Sequence, residues 1–144
     1  MKDKITLEEV YEIRKELEPR IERLDEEAIS FPKYFNKYSK ILSIEKVYMN
    51  MLLRDKKKLD HTLSLYYSGK ASEAVYKEKP QPLKIMKGEI YKYVESDPSM
   101  EELMLQIDEQ QELVDILKDT VHSLKDRNWA IKSAIDFLKF QSGN

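Results

Sequence analysis

Apolar residues recur with a heptad spacing across the last third of the chain, and this pattern constrains the fold more than any other feature. Eleven positions alternate four and three residues apart, and nine of them are apolar. We call this series the C-terminal heptad: Leu103, Ile107, Gln110, Val114, Leu117, Val121, Leu124, Asn128, Ile131, Ile135 and Leu138. A stripe of two residues in seven is narrow, and it is typical of one long helix that packs along other helices.

The C-terminal heptad leaves two packing alternatives open. Copies of the chain can associate through it, or three or four helices of one chain can bury it in an intramolecular bundle. Self-association predicts an oligomerisation surface formed by Val114, Leu117, Val121, Leu124, Trp129, Ile131, Ile135 and Leu138. Gln110 and Asn128 fit either alternative, because a buried amide can fix the register of an oligomer and an exposed one can mark a break.

The composition favours a single all-α domain over residues 1–144. Charged residues make up 36% of the chain, and 3 glycines and 5 prolines leave little material for hairpins. Without cysteine there are no disulfides or thiolate metal sites. No apolar run approaches the roughly 18 residues of a membrane span, and the start of the chain does not resemble a signal peptide. We therefore expect a cytoplasmic protein with no membrane partner.

Local signals place the helices. Thr6 and Glu9 form a capping-box pattern, and Pro19 is expected to kink or split the helix that follows. A long helix is predicted over residues 32–67 and ends at Gly69, with an apolar face that includes Ile44 and Met51. Short helices are predicted over residues 71–76 and 83–95. Asp97 then caps a helix that runs to about residue 140, unless it is interrupted near residues 126–128.

Charge is segregated along the chain. Residues 1–30 carry 6 Lys/Arg and 10 Asp/Glu, a net charge of −4. Residues 31–92 carry 14 and 6, a net charge of +8, and residues 93–144 carry 5 and 11, a net charge of −6. The basic middle is expected to attract polyanions, unless the acidic and basic parts neutralise each other within the fold.

No sequence pattern indicates a catalytic or metal site. The two histidines, His61 and His122, are far apart and are expected on solvated helix faces. The three glycines are isolated from one another, so no phosphate-binding loop is present. We predict neither a cofactor nor an enzymatic activity.

The basic middle alternates cations with tyrosines, a pattern that suits a single nucleic-acid strand. Ammonium groups can contact phosphates, and unpaired bases can stack on aromatic rings. The candidate DNA-binding residues are Lys56, Lys57, Lys58, His61, Tyr66, Tyr67, Lys70, Lys77 and Lys79, and Lys84 and Lys87 extend the basic track. The alternative is that the lysines form an ordinary solvated face and that the tyrosines belong to the core.

Two segments carry a family resemblance. One is Tyr66-Tyr67-Ser68-Gly69-Lys70-Ala71, followed by Tyr76-Lys77-Glu78-Lys79-Pro80 and Leu83-Lys84. The other is Asp126-Arg127-Asn128-Trp129-Ala130-Ile131-Lys132, followed by Ile135 and Phe137-Leu138-Lys139-Phe140. In order and spacing these segments resemble the UvsY family, the recombination mediators of T-even-type tailed phages, over roughly residues 30–144.

The resemblance implies an all-α protein that assembles into a homo-oligomeric ring of six or seven subunits. It implies binding to single-stranded DNA and loading of the phage recombinase against the single-strand-binding protein, in the cytoplasm of the infected bacterial host. Family members carry basic residues just before the Tyr-Tyr-Ser-Gly segment. Here residues 61–65 contain no Lys or Arg, and the nearest cations are Lys56, Lys57 and Lys58. The rival function is a helical scaffold that binds proteins and no nucleic acid.

Overall fold

The computed structural model describes residues 5–143, and every regular element in that range is helical, which confirms the all-α prediction. The α-helices are α1 (Leu7–Ile13), α2 (Leu24–Ile29), α3 (Phe31–Tyr67), α4 (Glu73–Glu78), α5 (Ile90–Glu95) and α6 (Pro98–Gln141). Short 3-10 helices at Arg14–Leu17, Ile21–Arg23 and Lys87–Glu89 join some of them.

The chain divides into two compact units. Unit 1 comprises residues 5–47 and 111–143 of the described chain, and unit 2 comprises residues 48–110. Each of the two long helices, α3 and α6, contributes one segment to each unit.

The N-terminal part of unit 1 follows its local sequence signals. The Glu9 amide donates to Thr6 Oγ1 at 3.1 Å and the Thr6 amide donates to Glu9 Oε2 at 2.7 Å, which confirms the capping box. Glu18 is extended, and the chain is not helical at Pro19. The predicted helix is therefore split into α1 and α2, because proline lacks the amide that would continue the ladder.

The core of unit 1 joins α1, α3 and α6. Its buried side chains are Val10, Tyr38, Leu113, Leu117 and Leu124. The Tyr38 hydroxyl donates to Glu16 Oε1 at 2.9 Å and lies 3.0 Å from the Ile13 carbonyl oxygen. Burial and the bonded carboxylate raise the pKa of Tyr38, so the phenol stays neutral and can donate.

A buried charge network holds the segment between α1 and α3 against α6. The Arg127 guanidinium donates through Nε to the Leu17 carbonyl at 2.6 Å and through Nη2 to Glu27 Oε2. Arg20 Nε donates to the other Glu27 oxygen at 2.8 Å. The Arg127 guanidinium also lies 5.1 Å from the centroid of the Tyr34 ring. One arginine thus links parts of unit 1 that are about a hundred residues apart in sequence.

In unit 2, α3 ends where the sequence predicts. Gly69 adopts φ +77°, a left-handed conformation that glycine takes without steric cost. The Gly69 amide donates to the Tyr66 carbonyl at 3.3 Å, and the Lys70 amide donates to the Leu65 carbonyl at 2.9 Å. This pair of bonds is a Schellman motif, and it reverses the chain toward α4.

The remaining helix predictions differ from the structure in detail. The helix predicted over residues 71–76 lies at Glu73–Glu78, and the one predicted over 83–95 begins only with the 3-10 turn at Lys87–Glu89. The side chain of Gln81 bonds both the amide and the carbonyl of Leu83, which holds that segment out of a helix. By contrast, α6 continues through residues 126–128 without a break.

The predicted apolar face of α3 is wrong in its middle. Ile44 and Met51 are exposed, whereas Met49 and Leu52 are buried. The reason is that the buried face includes a charged residue, Glu45. A prediction from apolar residues alone does not include Glu45, and it therefore places the buried face one residue too early. Glu45 has its own interaction partner, as a buried carboxylate requires.

Candidate nucleic-acid interface

All nine predicted DNA-binding residues lie in unit 2, on the C-terminal third of α3 and on the segment that follows it. Lys56 to Tyr67 belong to α3, Lys70 follows the Gly69 turn, and Lys77 and Lys79 lie in α4 and at its end.

The lysines of this region are largely without anionic partners. Within the described residues, no ion pair involves Lys57, Lys58, Lys70 or Lys77, and all four are exposed. Lys79 Nζ lies 5.6 Å from the centroid of the Tyr66 ring, a cation–π contact. A phosphate can therefore bind these ammonium groups without breaking an existing ion pair.

Lys56 differs from its two neighbours. It is half-buried and lines a pocket of about 380 Å³ together with Asp60, Glu95 and Met100. Two carboxylates therefore lie at the same pocket and oppose the approach of a phosphate. Lys57 and His61, one helical turn apart, are exposed.

Tyr66 does not have the exposed ring that base stacking requires. It is only 8% exposed, and its ring stacks on Tyr76 with centroids 5.6 Å apart. Its hydroxyl donates to the carbonyls of Lys79 at 3.2 Å and Pro80 at 3.4 Å. The core alternative is therefore correct for Tyr66, because the residue fastens the segment after α4 onto α3.

Tyr67 is half-buried and joins the end of α3 to the start of α6. Its hydroxyl donates to Asp97 Oδ2 at 2.7 Å, while Asp97 Oδ1 accepts from the Ser99 amide at 2.9 Å. Burial and the bond to Asp97 raise the pKa of Tyr67 to about 12. Burial alone would raise the pKa of Asp97, but the bonds from Ser99 and Tyr67 outweigh it, so this pKa is lowered. Asp97 is the predicted N-cap of α6 and also a buried anchor for Tyr67.

The exposed rings of unit 2 lie instead on α5. Tyr91 is 56% exposed and Tyr93 is 37% exposed, and Tyr93 lies 5.7 Å from the Tyr67 ring. The intervening Lys92 pairs with Glu89 at 3.7 Å. Neither ring was among the predicted site residues, although the Tyr-Lys-Tyr pattern in a basic segment was the available signal.

A groove of about 460 Å³ lies beside the Gly69 turn. Lys70, a predicted site residue, shares it with Lys87 from the 3-10 turn before α5. The other lining residues are Ser64, Leu65, Ser68, Ile85 and Ile90. None of these five was a predicted site residue, because no local motif connects residues about twenty positions apart.

The predicted oligomerisation residues fall into three groups by exposure. Val114, Leu117, Leu124 and Ile131 are at most 3% exposed, and Val121 and Ile135 are half-buried. Trp129 and Leu138 are 71% and 51% exposed, and Phe137 and Phe140 beside them are 59% and 80% exposed. The four buried residues thus pack within the subunit, as the bundle alternative expects, and the end of α6 presents the exposed apolar surface.

Metal-binding clusters and membrane-spanning helices are absent from residues 5–143. These residues contain no cluster of three or more His, Cys, Asp or Glu side chains that could hold a metal ion. None of their helices combines the length and the apolar character needed to cross a membrane.

Comparisons with known proteins place the chain in a family. Residues 14–144 match the family model described as "Recombination, repair and ssDNA binding protein UvsY". No curated protein matches the chain.

Several solved structures have the same fold as this chain. A crystal structure of the bacteriophage T4 recombination mediator protein UvsY, lattice type II, superposes with a TM-score of 0.86 at 21% identity and covers 96% of this chain and 99% of that one. The lattice type I crystal structure of the same protein gives 0.81 at 20% identity, covering 92% and 97%. The lattice type IV structure gives 0.78 at 21% identity, covering 95% and 99%. Because the family model matches residues 14–144, this chain belongs to the UvsY family of recombination, repair and single-stranded-DNA-binding proteins.

Proposed function

We propose that this protein is a recombination mediator that binds single-stranded DNA and helps to load a phage recombinase against the single-strand-binding protein. The observation that carries the proposal is the set of exposed unit 2 lysines that have no ion-pair partner among the described residues. Family membership supports the same function. The protein acts in the cytoplasm of the infected bacterial host.

The strand contacts unit 2 mainly through its phosphates. Lys57, Lys58, His61, Lys70 and Lys77 supply exposed cationic or polar groups near one end of α3. Binding through phosphates releases counterions, so affinity falls steeply with salt and depends little on base sequence. Tyr91 and Tyr93, rather than Tyr66, offer rings on which unpaired bases can stack.

Copies of the chain associate through the exposed end of α6. Trp129 and Phe140 lie three turns apart on one face of the helix, and exposed aromatic surface of this kind marks contact sites. The resemblance gives six or seven subunits in a ring. Several weak strand sites on one particle then combine into tight binding, because the first contact raises the effective concentration for the others.

Such a particle can act on another protein without hydrolysing ATP. A strand held at several points follows the surface of the ring and adopts a path that the single-strand-binding protein does not favour. The single-strand-binding protein therefore binds the strand less tightly, and the recombinase gains access to the strand. The phage recombinase and the single-strand-binding protein are the partners that this function requires.

DNA binding is tested with a fluorescent oligodeoxythymidine by anisotropy at several salt concentrations. Lys57→Ala with Lys58→Ala should lower affinity by about tenfold at low salt and reduce the salt slope by about 1.4, since each contact to a single strand contributes about 0.7. Lys118→Ala with Lys125→Ala, exposed lysines of unit 1, is the control with the same charge change. An unmodified protein that fails to bind the oligonucleotide at low salt would favour the protein-binding scaffold.

Assembly is tested by light scattering at micromolar concentration. Trp129→Ala with Phe140→Ala should lower the particle mass and weaken binding to long oligonucleotides, because fewer sites are linked. Tyr11→Ala removes another exposed aromatic ring of unit 1 and should leave the mass unchanged. If the double variant kept the mass of the wild-type particle, the end of α6 would not be part of the contact between copies.

A further inference from the structure

We propose that the groove beside the Gly69 turn is a subsite for one nucleotide of a single strand. Lys70 and Lys87 hold a phosphate, and the aliphatic side chains that line the same groove take the unpaired base. The inference rests on the proposed function and adds to it a defined place for a base. It differs from a general basic surface because it requires both charge and apolar area at one point.

The cationic half of the groove has no internal counter-charge. Lys70 and Lys87 are exposed, neither forms an ion pair within residues 5–143, and no carboxylate lines the groove. The pocket of Lys56 offers the contrast, since Asp60 and Glu95 line it as well. Of these two cavities in unit 2, only the groove is purely cationic and so attracts a phosphate.

The apolar half of the groove comes from Leu65, Ile85 and Ile90. Each is half-buried, so the fold holds the side chain in place while part of its surface still faces solvent. A volume of about 460 Å³ lies within the roughly 300–1,000 Å³ of small-ligand sites, which is enough for a nucleotide. Contact with a base removes apolar area from water on both partners.

Two hydroxyls add hydrogen-bonding capacity. Ser68 Oγ already donates to the Leu65 carbonyl at 3.1 Å, so its oxygen remains as an acceptor. The Ser64 hydroxyl makes no hydrogen bond within the described part of the chain and is free to donate to a phosphate or a base. The Schellman motif fixes the direction of the backbone at Lys70. The base must be unpaired, because in a duplex its faces are covered by stacking.

The first experiment separates the base from the phosphates. Oligodeoxythymidine and an abasic oligonucleotide of the same length carry the same number of phosphates, so any difference in affinity reports on the bases. The wild-type protein should bind oligodeoxythymidine at least fivefold more tightly. Ile85→Ser should lower that ratio at least twofold, whereas Leu83→Ser, exposed and outside the groove, should preserve it. An unchanged ratio in Ile85→Ser would overturn the subsite.

The second experiment uses the wild-type protein and therefore does not depend on how a variant folds. Lysines are acetylated with and without oligodeoxythymidine and quantified by mass spectrometry. Lys70 and Lys87 should both be protected at least threefold, and Lys118 and Lys125 should not be. Binding of the oligonucleotide without protection of Lys70 and Lys87 would reject the groove and leave the proposed function standing. Absence of binding would reject both.

Discussion

The Glu27 network of unit 1 and the lysines of unit 2 use charged residues in opposite ways. In unit 1 several cations pair within the subunit: Arg127 and Arg20 with Glu27, Arg23 with Glu26, and Lys37 with Glu16. In unit 2 the described ion pair is Lys92 with Glu89, Lys56 is half-buried, and the other lysines are exposed. The paired charges of unit 1 therefore stabilise the fold, whereas the exposed lysines of unit 2 remain available to a polyanion.

The strongest test of this contrast removes the arginine at the centre of the unit 1 network. Arg127→Ala should lower the free energy of unfolding by about 3 kcal/mol, because it leaves the buried Glu27 carboxylate with Arg20 alone. Urea denaturation at fixed protein concentration, followed by circular dichroism, measures the loss. Lys125→Ala, exposed on the same helix, should change it by less than about 0.5 kcal/mol. Equal effects in the two variants would show that the network adds nothing.

Acid should weaken unit 1 through its paired carboxylates. The hydrogen bond from Arg20 lowers the pKa of Glu27 against the cost of burial, and bonds from Lys37 and Tyr38 outweigh burial to lower that of Glu16. A lowered folded-state pKa gives stability that is complete above the unfolded value of 4.5 and is lost as the pH falls through the folded value.

The unfolding free energy should therefore decline below about pH 4.5. Glu27→Gln should flatten this decline, since residue 27 then no longer titrates. Denaturation curves at several pH values provide the measurement. If the unfolding free energy of the variant fell with pH as steeply as that of the wild type, the acid sensitivity would come from other residues.

A smaller effect is expected where unit 2 does use a charge internally. Tyr67→Phe removes the hydroxyl that donates to the buried Asp97 carboxylate and should cost about 1.5 kcal/mol. Tyr91→Phe removes the hydroxyl of an exposed tyrosine and is the matched control. Thermal unfolding of both variants measures the difference. If Tyr67→Phe unfolded at the same midpoint temperature as the control, the bond between Tyr67 and Asp97 would not stabilise the fold.

The smallest effect on stability should come from the unpaired lysines. Lys57→Ala with Lys58→Ala should leave the free energy of unfolding within about 0.5 kcal/mol of the wild type, because no described ion pair is lost. The same variant should lose DNA affinity, as proposed above. A large stability change with unaltered DNA binding would invert the comparison between the two units.

Local signals in the sequence predicted the boundaries of several elements correctly. The Thr6 capping box, the break at Pro19, the end of α3 at Gly69 and the start of α6 at Asp97 each depend on one or two residues whose conformational preferences act without distant partners. Elements that depend on a distant contact were less well predicted. The face of α3 shifted because Glu45 is buried. The helix before residue 87 is shortened for a local reason that the apolar pattern does not show, because the Gln81 side chain bonds the backbone of Leu83 two residues away.

The sequence by itself determined the helices, the segregation of charge and the heptad, because spacing and composition are properties of the chain alone. Only the tertiary structure decided how the side chains of each pattern are used. It buried Leu117 and Leu124 inside unit 1 while leaving Trp129 exposed, and it enclosed Tyr66 while exposing Tyr91. The physical reason is that burial and pairing depend on neighbours that are distant in sequence, such as Glu27 for Arg127 or Lys87 for Lys70.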